Sequence, residues 1–168
     1  MKWDLYDKDF NKTNQTINEY EPIPNDLYHL TVKLWIINSK KQVLILKKAM
    51  NYDLHYPGYW TGLNGNVLES NTALDTIPLV IKEKLNLDIE LSNIKEIGID
   101  LRDPYNYIYN TFIINYDIEI NDISLDEEQY TKCKYVDYDE LVNMINNGEI
   151  EYPLIDRIEK YLIPELKN

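Results

Sequence analysis

The chain has 168 residues, enough for one compact domain with a sizeable core, and 44% of them are apolar, as in ordinary folded soluble proteins. Its 29 acidic residues against 17 basic ones give a formal net charge of -12. Such a surface repels nucleic acid and phosphates in general, so an anionic ligand needs a local cationic site, either a metal or a focused basic pocket. Cys133 is the single cysteine, which rules out an intramolecular disulfide. The opening Met1-Lys2-Trp3-Asp4 lacks the pattern of a signal peptide, and the apolar runs are far too short for a membrane span. The expectation is a soluble, cytoplasmic protein without nucleic-acid or membrane partners.

Trp3–Tyr6 and Thr13–Ile17, separated by turn formers, predict a first hairpin. Pro22 to Asp26 breaks the chain. Leu27–Ile37 and Gln42–Lys47, joined by Asn38-Ser39-Lys40-Lys41, predict an antiparallel hairpin. Tyr52 to Gly58 reads as a loop, and Trp60 to Val67 as a short strand or loop. Leu74, Ile77, Ile81 and Leu85 have helical spacing, with Asn71 or Thr72 as cap. Pro78 should kink this helix or move its start to about residue 77. Ile94–Leu101, Tyr107–Ile118 and Lys132–Val136 read as strands. Asp137 or Asp139 caps a helix stopped by Gly148, and Leu154–Leu162 is a last amphipathic helix ending near Pro164. Strands, helix, strands, then helices do not alternate as in a doubly wound sheet, so the class is α+β, in one domain over residues 1–168.

Four segments share an order and spacing: Trp3-Asp4-Leu5-Tyr6-Asp7; Tyr28-His29-Leu30 with Leu34-Trp35-Ile36-Ile37-Asn38; Leu44-Ile45-Leu46-Lys47-Lys48; and Tyr56-Pro57-Gly58-Tyr59-Trp60. Together they resemble the Nudix superfamily, most closely its branch near isopentenyl-diphosphate isomerase, from about Trp3 to Leu162. The resemblance implies an α/β/α sandwich with a mixed sheet and a hydrolase of nucleoside diphosphate-linked molecules that uses Mg²⁺ or Mn²⁺. It makes a small-molecule diphosphate the expected partner and leaves a homodimer open.

The family's box is G-x5-E-x7-R-E-U-x-E-E-x-G-U, with U a bulky aliphatic. Anchored on Gly65, its fixed positions fall on Gly65, Asn71, Leu79, Val80, Ile81, Glu83, Lys84, Asn86 and Leu87. Gly65, Ile81, Glu83 and Leu87 match; the other five do not. Carboxylates three and four residues apart share a helix face, so in the family three of them converge on the metals, which bind the diphosphate and produce the attacking hydroxide. Those three positions hold Val80, Glu83 and Lys84 here. Metal-dependent hydrolysis is therefore expected to be impaired. The family's further metal-binding Glu, counted back from Tyr135, falls on Gln129, with Glu127 and Glu128 beside it.

Glu83 is thus the candidate catalytic residue, and Glu83 with Glu128 the candidate metal ligands; an ordinary exposed helix carboxylate is the bland reading of Glu83. Lys84 either meets phosphate where a metal would sit or is a surface lysine. Lys47 and Lys48 at a strand end are candidate phosphate contacts or a solvated end. Tyr56 and Trp60, with Tyr52 and Tyr59, could stack on a base or simply pack. His29 and His55 could form a two-histidine metal site or be ordinary core and loop residues. The isomerase cysteine position falls near Gly62 to Asn64, which has no thiol, and Cys133 reads as structural. Three functions stay open: a diphosphate hydrolase, a non-catalytic ligand-binding or protein-interaction module, and a hydrolase with a metal site relocated to Glu69, Glu83 and one of Glu127 or Glu128.

Overall fold

The strand His29–Ile37 is buried along almost its whole length and anchors the molecule. A computed structural model describes residues 1–167; the Asp103 side chain and Asn168, the last residue of the expected domain, lie outside what is described. The strands are β1 Lys2–Tyr6, β2 Lys12–Asn18, β3 His29–Ile37, β4 Val43–Lys48, β5 Trp60–Thr61, β6 Leu63–Asn66, β7 Ile94–Arg102, β8 Tyr107–Asn115 and β9 Tyr130–Val136. The helices are α1 Ala73–Leu85, α2 Tyr138–Asn146 and a C-terminal α3 over residues 155–167.

β1 and β2 form the expected hairpin. The main sheet runs β5-β4-β3-β8-β7, with β6 added to β3 and β9 to β4. β3 lies parallel to β8 from the His29–Tyr107 pair to the Ile37–Asn115 pair, and β7 runs antiparallel to β8, so the sheet is mixed. Such a continuous apolar run suits a strand covered on both faces.

The predicted antiparallel hairpin of the third and fourth strands forms, but its pairing is short. Asn38 closes the turn, its N–H donating to the Gln42 carbonyl, but β3 and β4 pair only at Ile37 and Val43. Beyond that point they diverge: β6 takes the edge of β3 from Leu34 back to Thr31, and β9 takes β4. The sheet is split where a long hairpin would have closed it.

Alternation along β3 sends Leu30, Val32, Leu34 and Ile36 to one core, shared with Ile77, Val80, Ile81 and Leu85 of α1. Trp35 and Ile37 face a second core with Leu141 and Met144 of α2 and Ile158 and Leu162 of α3. Helices on both faces of a mixed sheet give the α/β/α sandwich expected of the α+β class.

Two helical expectations need correction. Pro78 does not start α1; the helix begins at Ala73, because Thr72 and Asp75 cap each other's backbone N–H groups. Pro78 and Leu74, whose carbonyl loses its partner, both lie on the exposed side, where water can satisfy it. The last helix does not end near Pro164: a π-turn at Ile158–Leu162 is followed by helix at Ile163–Lys167. Asp137 caps α2, and Gly148 follows it with positive φ, as expected. No described helix is long and apolar enough to cross a membrane.

His29 is buried between aromatic rings, stacked on Trp3 at 4.1 Å and meeting the edge of Tyr107 at 4.0 Å. Neither ring nitrogen has a hydrogen-bond partner among the described residues. His55 lies exposed on the loop before β5. Burial lowers the His29 pKa to about 4 from an ordinary 6.5, so the folded chain holds it neutral. Between those values the unfolded chain binds the proton more readily, and stability that is fully present above about pH 6.5 is lost as pH falls toward 4. That loss is about 3 kcal/mol. In urea titrations, His29→Phe should remove this part of the slope between pH 6.5 and 4 relative to the parent chain; parallel stability profiles for the two proteins contradict it.

Candidate functional site

The segment Gly65 to Leu87 runs from β6 through a loop into α1. A Cβ added at Gly65 would lie 2.5 Å from Cγ2 of Val80, so strand backbone and helix side chain are in closest approach there. Val80 is 2% exposed and belongs to the core with Ile77 and Ile81. The position that the resemblance assigns to a metal-binding carboxylate therefore holds a packing residue.

One turn further along, Glu83 points outward, its side chain 66% exposed, while Lys84 is tucked in at 16%. The Lys84 ammonium lies 3.6 Å from Glu83 Oε1, donates to Oε1 of Gln129 at 3.4 Å and sits 5.7 Å from the Tyr130 ring. Lys84 and Gln129, which the box alignment and the count back from Tyr135 assigned to metal-ligand positions, thus meet each other. Burial, with Glu151 and Glu83 adding to it, pushes the Tyr130 hydroxyl up to about 12, so it stays a neutral wall beneath the lysine. A place in the last turn of α1 also suits a cation.

A cavity of about 350 Å³ opens over this region, lined among others by Tyr20, Asn64, Asn71, Leu79, Glu83 and Lys84. Its polar side chains are three asparagines, Tyr20, Thr76, Lys84 and two carboxylates, Glu19 and Glu83. A divalent metal needs several oxygen ligands at close range. Among the described residues no three His, Cys, Asp or Glu side chains gather in that way. With Lys84 and Val80 at two of the positions that the resemblance assigns to metal ligands, the side chains there do not suit Mg²⁺ or Mn²⁺.

The remaining sequence candidates fall elsewhere. Glu128 is exposed on the turn before β9. Lys48 forms a part-buried ion pair with Glu151 at 3.0 Å and donates to the His55 carbonyl at 2.7 Å. Lys47 and Trp60 border a different cavity of about 280 Å³, together with Met50, Gly58 and Glu149. Trp60 is 8% exposed and carries the Lys134 ammonium 4.8 Å from its ring centre. Tyr56 and Tyr59 meet edge to face at 6.1 Å and are each 39% exposed. Cys133 is half-buried, and burial raises its thiol pKa. Tyr130 and Glu151 gave no sequence signal: Tyr130 reads as a β residue, and Glu151 lies 103 residues from its partner.

No family model matches the chain. It is 27% identical over 174 aligned residues to a protein of Listeria innocua named as an uncharacterized Nudix hydrolase, covering 99% of this chain and 95% of the relative. The DR0079 protein of Deinococcus radiodurans superposes with a TM-score of 0.69 at 16% identity, over 89% of this chain and 91% of that one. The Nudix domain of Shewanella oneidensis NrtR, solved in complex with ADP ribose, superposes with a TM-score of 0.60 at 12% identity, over 84% and 91%.

The Gly65–Val80 contact makes a direct prediction. Gly65→Ala should destabilise the chain by about 1–3 kcal/mol through overpacking, and Val80→Ala should recover much of that loss in the double variant. Additive losses in a denaturant double-mutant cycle contradict the contact.

Proposed function

We propose that this Nudix-fold chain, a relative of proteins named Nudix hydrolases, binds a nucleoside diphosphate-linked small molecule, and that metal-dependent hydrolysis is impaired in it. The observation that carries the proposal is the Lys84 ammonium, held 3.4 Å from Gln129 at the wall of the box cavity. An ammonium there supplies fixed positive charge to diphosphate oxygens, which a protein of net charge -12 must concentrate locally. Its three N–H donors can serve a phosphate as well as Gln129. It cannot deprotonate water as a bound divalent ion does. Glu83 is the remaining box carboxylate, and alone it gives a weak metal ligand. The half-exposed rings of Tyr56 and Tyr59 suit stacking on a base. The complex of the NrtR Nudix domain with ADP ribose supports the ligand class.

A wholly non-catalytic binding module is the second reading, and Val80 packed on Gly65 favours it. The two part on turnover. Calorimetry with ADP ribose and other nucleoside diphosphate derivatives in EDTA should show binding without metal, and Lys84→Glu should abolish it. Product release with Mg²⁺ or Mn²⁺ should stay near background. Rapid metal-dependent turnover lost in Glu83→Gln overturns impaired hydrolysis; unchanged affinity in Lys84→Glu overturns the role of the lysine.

A further inference from the structure

A second cationic centre lies on the sheet face opposite α1. Lys33 shares the β3 face of Trp35 and Ile37, which pack against α2 and α3. Three cations surround the ring of Tyr109 on β8: Arg157 of α3 at 4.2 Å, Lys33 at 4.7 Å and Arg102 of β7 at 5.8 Å from its centre. Lys48 and Glu151 stand close enough to act on Lys33 electrostatically.

The two acids nearby, Glu151 and Asp100, act on Arg157 electrostatically but are only partly engaged, since Asp100 Oδ2 is buried with no hydrogen-bond partner among the described residues. Glu151 is paired with Lys48 at 3.0 Å. Asp100 accepts from the Tyr161 hydroxyl at 2.9 Å and faces the Lys160 ammonium at 3.4 Å. Among the described residues, Lys33, Arg102 and Arg157 enter no ion pair. Arg157 is 8% exposed, and its Nε has no hydrogen-bond partner among them. Arg102 donates weakly to the Pro153 carbonyl at 3.5 Å. The π face of Tyr109 attracts each cation but cannot cancel the repulsion among them. Burial and the neighbouring cations, Arg157 first among them, lower the Lys33 pKa to about 7. Buried charge is costly unless it is matched, and here three cations on three separate elements are offset only in part by Asp100 and Glu151.

We propose that Lys33, Arg102 and Arg157 form an anion site that takes the phosphoryl group of a small phosphorylated molecule. Two guanidinium forks and one ammonium suit an oxyanion with several oxygens better than a monodentate carboxylate. Lys33, Arg102 and Tyr109 each keep partial solvent access, so the site opens outward while Arg157 closes its floor. Because α3 carries Arg157 and the box helix packs on the other face, the site is independent of the diphosphate reading above.

Pyrophosphate is the probe, titrated into the full chain in EDTA and followed by thermal unfolding and calorimetry, with acetate at matched ionic strength as comparison. Pyrophosphate should raise the Tm where acetate does not. Arg157→Met and Lys33→Met keep the apolar stems and should weaken pyrophosphate binding about tenfold or more each. Without the anion, these variants should unfold no lower than the parent, since each relieves repulsion. Parent affinity should fall as pH rises through about 7, a dependence set by Lys33 facing Arg157, Arg102, Lys48, Glu151 and Tyr109 and absent in Lys33→Met. If either variant folds poorly, Arg102→Gln on the rim carries the same test. No stabilisation of the parent, equal stabilisation by acetate, unchanged affinity in the variants, or loss in Lys84→Glu instead of Arg157→Met each overturns the proposal.

Discussion

Helix α1 sits where it does because Gly65 has no side chain. The backbone of β6 comes within contact of Val80, and a single methyl at residue 65 would occupy the space of Cγ2. That approach sets the height of the helix over the sheet and buries Val80 with Ile77, Ile81 and Leu85. It also sets what the next turn can do. Glu83 swings to solvent and Lys84 swings under the loop before β9, because residues three and four along from Val80 flank its face.

The same contact explains why packing persists while the charges change. A valine at residue 80 strengthens the apolar seam, so the fold does not need the carboxylate that metal chemistry would. Lys84 places a positive charge in the last turn of α1, held by Gln129 and the Tyr130 ring. On the far face of the sheet three cations surround Tyr109 and, among the described residues, none of them forms an ion pair. An anion approaching so acidic a chain would find its local positive charge at these two places.

Local signals carried most of the fold. The continuous apolar run of β3, the Thr72 cap, the Asp137 cap and the Gly148 stop are each decided within a few residues. The split between β3 and β4 was not legible, since a tight Asn38 turn looks the same whether the strands stay together or part. Nor was the π-turn at Ile158–Leu162, past which the helix continues to Lys167. Of the site, the box spacing exposed Val80, Lys84 and Gln129, because helical and strand periods carry residues to fixed faces. Lys33, Arg102 and Arg157 stayed hidden: 124 positions separate the first and last, and only the parallel β3–β8 pairing and the return of α3 bring them to one ring. A lysine within an apolar strand was the one available clue.

The most direct measurement is Mn²⁺ binding by electron paramagnetic resonance, on the parent chain and on Lys84→Glu. With an ammonium at one ligand position and Val80 buried at another, the parent should leave the free-ion signal undiminished, and Lys84→Glu should acquire a site by placing a second carboxylate beside Glu83. Stoichiometric Mn²⁺ uptake by the parent that disappears in Glu83→Gln would contradict a lysine in the metal's place.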